Sequence, residues 1–410
     1  MNSSFVWWRN RPYLLLTGVK FMSFVAAGLT NPLFSIRAQG LGATLVQIGL
    51  IGMVAQIAGT AMQYLLGQQS DRLMRRKPLV LIGMGANALN WLLVAAIRSY
   101  EPLYWIRVLN GVALAANGVG SLALIGDILE GQPNRGRLMG LHRGSGSFAF
   151  GVAALFGGRL ADAYGIAAPF YLAAAFSLVG TLLALLIRET PAPQTAPQVR
   201  VAAPALHADV TWAEVRRILP FLAVVLIWSF AMSSAFAFWP VYMREQGFSN
   251  TIVTQLWGIA ALGETVMMIV AGYLSDRLGS RRVVAAGLAG MGLVFVAYTL
   301  LPRMPWLIPI QLVRSLTFSS YEAAAMLYAT EMGLRRQRGR MAGLQATASS
   351  VGGISGSAAG GAIAQALGLG LMIRATGALM VAVGFVAGLI MPAPRAAAER
   401  QEPKSDPPAR

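Results

Sequence analysis

Apolar stretches of about twenty residues recur along the whole chain, and they constrain its fold more than any motif does. A bilayer core about 30 Å thick needs roughly 20 apolar residues per crossing helix. Segments of that kind fall near 13–34, 44–67, 78–97, 102–127, 139–161 and 168–187. Six more fall near 219–242, 250–273, 283–301, 305–330, 341–366 and 369–391. Only 12% of the 410 residues are charged, 56% are hydrophobic, and the mean hydropathy is +0.58. A soluble domain carries roughly 25% charged residues, so most of this surface is built for lipid. The reading is an all-α membrane protein of about twelve transmembrane helices, with the bilayer as its first partner. The N-terminal stretch lacks a small-residue cleavage site after its apolar run, so the first segment reads as a retained helix.

One long polar stretch interrupts the series. Residues 188–218 contain PAPQTAPQ and four of the twenty prolines, which marks a linker. It divides the chain into an N-terminal six-helix bundle over 1–187 and a C-terminal one over 219–391. The tail at 392–410 is polar and reads as disordered. The net charge of +17 would suit nucleic acid, but the basic residues sit in short clusters between apolar segments, so nucleic acid is not an expected partner. With a cytoplasmic N-terminus, 24 Lys and Arg fall on the cytoplasmic side and 6 on the other, leaving Lys20, Arg107 and Arg314 inside helices. That bias predicts a multi-pass protein of the cytoplasmic (inner) membrane with both termini inside.

The halves repeat in parallel. SDRL at 70–73 recurs at 275–278, NRGRLMGL from Asn134 recurs as QRGRMAGL from Gln337, and Gly157-Gly158 recurs as Gly360-Gly361. The offsets are 205, 203 and 203 residues. Six plus six helices in parallel repeat is a known plan for membrane carriers.

The repeated loop carries a resemblance. Gly67-Gln-Gln-Ser-Asp71-Arg72-Leu-Met-Arg75-Arg76-Lys77 resembles the G-x-x-x-D-R-x-G-R-R/K signature of the major facilitator superfamily. Gly272-Tyr-Leu-Ser-Asp276-Arg277-Leu-Gly279-Ser-Arg281-Arg282 is the second copy. The first departs from the pattern at Met74, where glycine is usual. The glycines allow close helix approach, and the carboxylates can cap a helix or pair with arginine. The resemblance implies a latch of Asp71, Arg75 and Asp127 that holds the outward-facing state, with Glu331 as counterpart in the second half. Solvated loop charge would explain the basic residues there, but not Asp71 and Asp276.

The fourth span carries Arg107-Val-Leu-Asn110-Gly111, which resembles the family's intramembrane R-x-x-x-G element. Arg107, Asn110, Ala113, Asn117 and Ser121 form one small, polar stripe. An arginine inside the membrane costs at least about 2.5 kcal/mol, so Arg107 should face protein or a watery cavity, unless it snorkels to the nearer surface. Glycines at four-residue spacing, Gly352, Gly356 and Gly360, predict tight packing of the eleventh span. The fifth span is glycine-rich but lacks the proline of the antiporter element, which weakens a drug–proton antiport reading.

In proteins this chain resembles, spans one, four, seven and ten line a central cavity. The first offers Lys20, Ser23 and Asn31, with snorkelling as the alternative for Lys20. The seventh offers Trp228, Ser229, Ser233 and Trp239, equally suited to packing. The tenth places Arg314, Tyr321 and Glu322 near mid-span, and Glu264 is the mid-span acid of the eighth. Burial disfavours the charged form of a carboxylate, so Glu264 or Glu322 could carry a proton; alternatively one pairs with Arg314 or Lys20.

With no cysteine and only His142 and His207, thiolate, metal and triad chemistry find no support, and neither an enzyme nor a cofactor is expected. No G-x-x-x-x-G-K-[ST] loop is present, so a nucleotide does not supply the energy. The resemblance implies a monomeric secondary transporter that moves a small-molecule substrate by alternating access. Proton-coupled efflux is the first expectation, and proton-coupled uptake of a sugar-like or anionic metabolite is the alternative. A receptor on a transporter scaffold is the reading from a different class.

Overall fold

The computed structural model describes residues 10–73, 75–132, 134–188, 212–332 and 338–392. The expected linker, apart from its two ends, and the expected tail, apart from Pro392, lie outside the described residues. Helices occupy almost everything else. The first half comprises α1 (Arg11–Gly40), α2 (Leu45–Leu73), α3 (Lys77–Ala96), α4 (Leu103–Ile128), α5 (Arg135–Tyr164) and α6 (Ala168–Leu185). The second comprises α7 (Trp212–Ala231), a π-helical turn at Met232–Phe236, and α8 (Ala237–Glu245), which together form one span. It continues through α9 (Asn250–Leu278), α10 (Ser280–Leu300), α11 (Met304–Met332), α12 (Arg338–Leu367) and α13 (Leu369–Ile390). Among the described residues, nine helical segments are long and apolar enough to cross a membrane by length and composition. Trp105, Ile269, Phe385 and Leu389 are all more than 60% exposed; such a surface is stable only against lipid.

Local chemistry explains the ends of several helices. Asn10 caps α1 by accepting from the Tyr13 amide, and Ser249 caps α9 by accepting from the Ile252 amide. Gly279, between α9 and α10, has φ +85°, a conformation only glycine adopts without strain. Its counterpart in the repeat is Met74, which lies outside the described residues.

The seventh span was expected as one continuous helix; it is broken by the π turn. Pro240 has no N–H to give the carbonyl of Phe236, and its ring crowds that carbonyl. The hydrogen-bond ladder widens over Met232–Phe236 just before it.

Small residues set the spacing of the bundle. Cβ atoms added at Gly352, Gly356 and Gly360 would run into Leu226, Phe230 and Ser234, so α12 lies backbone to backbone on α7 and the π turn. Gly361 meets Gly49 of α2, and Gly258 of α9 meets Gly151 of α5. These last two contacts join the halves.

The joint is one-sided. Asp162 accepts from Asn250 and Thr251, the Gly158 amide donates to Thr254, and Gln365 accepts from the Leu45 amide. Gln56 donates to Ser233 and Thr60 to Ser350 near mid-helix. No hydrogen bond joins the halves beyond that depth among the described residues. Toward the basic loops, the places that side chains on Gly67, Gly140, Gly144 and Gly272 would take are empty. Among the described residues, the two halves therefore close one end of a cavity and leave it open at the end that carries the repeated SDRL loops.

Candidate functional site

The cavity wall of the second half is built around one ion pair. Arg314 on α11 donates to Glu264 on α9 at 2.5 Å, and the side chains are 4% and 19% exposed. The guanidinium also lies 5.0 Å from the ring centroid of Phe236. The π turn delivers that ring, which stacks on Trp257 at 4.5 Å, and Trp257 in turn faces Phe150 of α5 at 6.3 Å. Ser315 and Ser319 bind α9 backbone carbonyls at Ala260 and Glu264, which fixes α11 against α9. Of the partners considered from sequence for a mid-span acid, the structure assigns Arg314 to Glu264.

Glu322 lies two turns beyond Arg314 on α11 and is exposed on the cavity side, one turn after Ser319. Among the described residues no cation pairs with it; its polar neighbour is the Trp228 side chain. Trp228 is 5% exposed and stacks on Tyr321 at 3.7 Å, with Phe318 at 5.6 Å. Packing and cavity lining are thus both served by the seventh span.

The wall of the first half differs. Lys20 of α1 is half-buried, with its ammonium 4.8 Å from the Phe24 ring centroid and its stem against Gly146 of α5. It points into the bundle instead of reaching back along the helix to the surface. Asn117 of α4 donates to Ser23 at 3.3 Å and accepts from Ser121 at 3.0 Å. His142 is buried behind this cluster and shares a hydrogen bond with Thr17 at 3.1 Å.

Arg107 and Asn110 are not part of that cluster. Arg107 lies about ten residues from Asn117 on α4, roughly 15 Å along the axis, with its guanidinium 4.3 Å from the Phe34 ring. It faces protein near the closed end, where Asn110 is 2% exposed. Asn31 shares a helix face with Lys20 and Phe24 but lies about 16 Å along α1 from Lys20, exposed toward the closed end.

At the open end, the Asp71 and Arg72 side chains lie outside the described residues. Asp127 sits 3.7 Å from Arg76, the residue after the expected partner Arg75, which is exposed. In the second half Glu331 accepts from Ser280, at the position equivalent to Arg75. Asp276 and Arg277 are exposed, and Arg277 lies over the Tyr273 ring. Gly67 and Gly272 are not in close helix contact in this conformation. A cleft of about 510 Å³ separates α5 from α9 on this side, lined by Phe21, Arg137, Leu141, Phe148 and Thr265 among others.

Sequence reasoning missed the aromatic members of the site, Phe24, Phe150, Phe236 and Trp257. Nothing in a chain with 17 Phe and 9 Trp marks which rings face the cavity. Pro240 was the one available signal, since a proline late in an apolar span foretells the break that presents Phe236.

A two-fold repeated helix bundle around a polar cavity, closed at one end and open at the other, defines a solute carrier of the membrane. The Major Facilitator Superfamily pattern matches residues 16–269 and 256–410, and the chain belongs to that family. It is 26% identical to the probable 3-phenylpropionic acid transporter of Escherichia coli, over 84% of this chain and 86% of that one. It is also 26% identical to sugar efflux transporter A of Dickeya chrysanthemi, over 83% of this chain and 86% of that one. In fold it is similar to the crystal structure of the nucleoside transporter NupG, with a TM-score of 0.75 at 14% identity, covering 92% and 98% of the two chains. The protein is therefore a multi-pass membrane transporter of small solutes.

Proposed function

We propose that the protein couples the movement of a small organic solute to protons by alternating access, with Glu322 as the proton-carrying group. The contrast between two acids carries this reading. Glu264 is tied to Arg314, whereas Glu322 meets the cavity with no cation paired to it among the described residues. An unpaired carboxylate at mid-membrane is costly when ionised, so it should exchange a proton whenever the cavity changes sides. We place the termini and the basic loops in the cytoplasm, which makes the open end the inner one.

Efflux in exchange for protons is the direction we assign first, supported by likeness to the sugar efflux transporter. Uptake together with protons is the second reading, and the uncompensated Lys20 cation in the same cavity favours it for an anionic solute. The test is flux of labelled 3-phenylpropionate and labelled lactose in proteoliposomes under an imposed pH gradient. Exchange concentrates solute in vesicles with an acidic lumen; cotransport does so when the outside is acidic. Glu322→Gln should lose gradient-driven accumulation and keep solute counterflow. Full gradient-driven accumulation by Glu322→Gln would remove that residue from the coupling role. Glu264→Gln is the companion: loss there, with retention in Glu322→Gln, would move the coupling to α9.

A further inference from the structure

The six helices of the first half hold acids only at their ends. Asp71 closes α2, Asp127 lies at the end of α4 and Asp162 at the end of α5, while α1, α3 and α6 contain none. Lys20 is thus a cation at mid-helix depth with no carboxylate on its own wall. Among the described residues it has neither an ion pair nor a hydrogen bond, and the Phe24 ring faces its ammonium. Arg143 follows on the adjoining stretch of α5 and adds a second positive charge to the neighbourhood.

Ser23 lies one turn from Lys20 on the same face of α1. Its oxygen accepts from Asn117, which leaves its O–H as a free donor. An ammonium and a hydroxyl one helical turn apart match the two oxygens of a carboxylate. Apolar surface adjoins them. Phe24 and Phe150 are both half-buried, Phe24 lies against Gly146, and Phe150 follows one turn later on α5, backed by Trp257. A half-buried ammonium packed on a ring is stabilised when a ligand anion completes it.

We propose that this corner is an anion seat, and that the transported solutes are organic carboxylates with a flat apolar body. The carboxylate sits on Lys20 and Ser23, and the body sits against Phe24 and Phe150. The assignment names the substrate class of the cavity proposed above and rests on that cavity being the transport site. It does not depend on which acid carries the proton.

The test uses the full-length purified protein and three probes of one shape: 3-phenylpropionate, 3-phenylpropionamide and 3-phenylpropylamine. Binding is read from intrinsic tryptophan fluorescence and from the shift in thermal midpoint. The acid should bind at least tenfold more tightly than the amide, and the amine should not bind. Lys20→Gln should bring the acid down to the level of the amide, while Lys20→Arg keeps the preference. The apparent midpoint of each variant without ligand reports whether it is folded. Equal binding of acid and amide, binding of none of the three, or an acid preference that survives in folded Lys20→Gln would overturn the anion seat. Glu322→Gln separates the two ideas. If it keeps the acid preference while pH-driven flux of the parent fails to appear, proton coupling falls and the seat stands. If pH-driven flux of lactose appears without any acid preference, the seat falls and the coupling stands.

Discussion

The two halves of this molecule share a backbone and differ in what lines it. A Cβ on Gly83 of α3 would strike the Asn117 backbone, and one on Gly287 of α10 would strike Tyr321; both partners of the second pair lie 204 residues on. Between the halves, Gly158 meets Thr254 and Gly361 meets Gly49, again equivalent places in the repeat. The charged residues near mid-span have no such twins. At the same offset, Arg314 corresponds to Asn110, Glu322 to Gly118, and Lys20 to Val224. Close packing needs small residues in both halves, because without a hydrophobic force between helices in lipid it is contact that holds them together. Chemistry needs each ionisable group once. The repeat encodes the machine, and its departures encode the cargo.

The largest effect should come from testing one departure. Arg314→Gln leaves Glu264 as a buried charge without its partner, and such a loss costs about 3–5 kcal/mol. The purified variant should melt well below the parent, while Glu264→Gln with Arg314→Gln together should recover most of the difference. If the single and double variants melt alike, the pair is a bystander, and the asymmetry between the halves is not a matter of stability.

The shared part of the repeat comes next. Gly158→Leu and Gly361→Leu each wedge the closed end where the halves approach by backbone. Because the chain has no cysteine, Asn31→Cys is a clean reporter of access near that end. Labelling by an impermeant thiol reagent should rise several-fold in both glycine variants, to the same extent. A rise in only one would mean that the two equivalent contacts carry unequal weight.

A smaller, signed effect separates the two directions of transport. Glu322 is exposed on α11 and Lys20 is half-buried on α1; if both line the transport path, ionised Glu322 opposes an anion bound at Lys20. Binding of 3-phenylpropionate should tighten by a few-fold as the pH falls through the titration of Glu322. Glu322→Gln should show no such slope. That slope in the parent would turn the assignment from exchange to the second reading, in which anion and proton travel together; the opposite slope would support the exchange assigned first.

How far the residues alone revealed this arrangement depends on the kind of feature. Span positions followed from hydropathy to within a few residues at most ends, because lipid imposes one length and one composition on every crossing helix. The latch region did so less well. Arg75 and Arg76 are adjacent, and only the emergence of the chain from α2 decides which one meets Asp127. Partner choice was beyond sequence in the cavity too. Glu264 and Glu322 are both mid-span acids, and their difference lies in which one meets Arg314 where Ser315 and Ser319 bind α11 to the α9 backbone. The aromatic stack from Phe236 to Phe150 arises between three helices and leaves no local pattern.

The smallest expected effect concerns the glycines that drew attention first. Gly67 and Gly272 open their loops in the two halves, yet in this conformation an added methyl would touch none of the described residues at either place. Alanine should therefore be tolerated, and helix interiors gain about 0.5–1 kcal/mol from that exchange. The gain applies here and is lost wherever the open end shuts and brings helices against these positions. Gly67→Ala and Gly272→Ala should leave the thermal midpoint level or slightly raised, slow transport no more than a few-fold, and lower the labelling of Asn31→Cys. Gly67→Leu and Gly272→Leu should push all three readouts further in the same direction. Unchanged transport in both leucine variants would show that the open end never draws its helices together at these glycines, and the alternating cycle would have to close deeper, between α5 and α9 around Phe148 and Thr265.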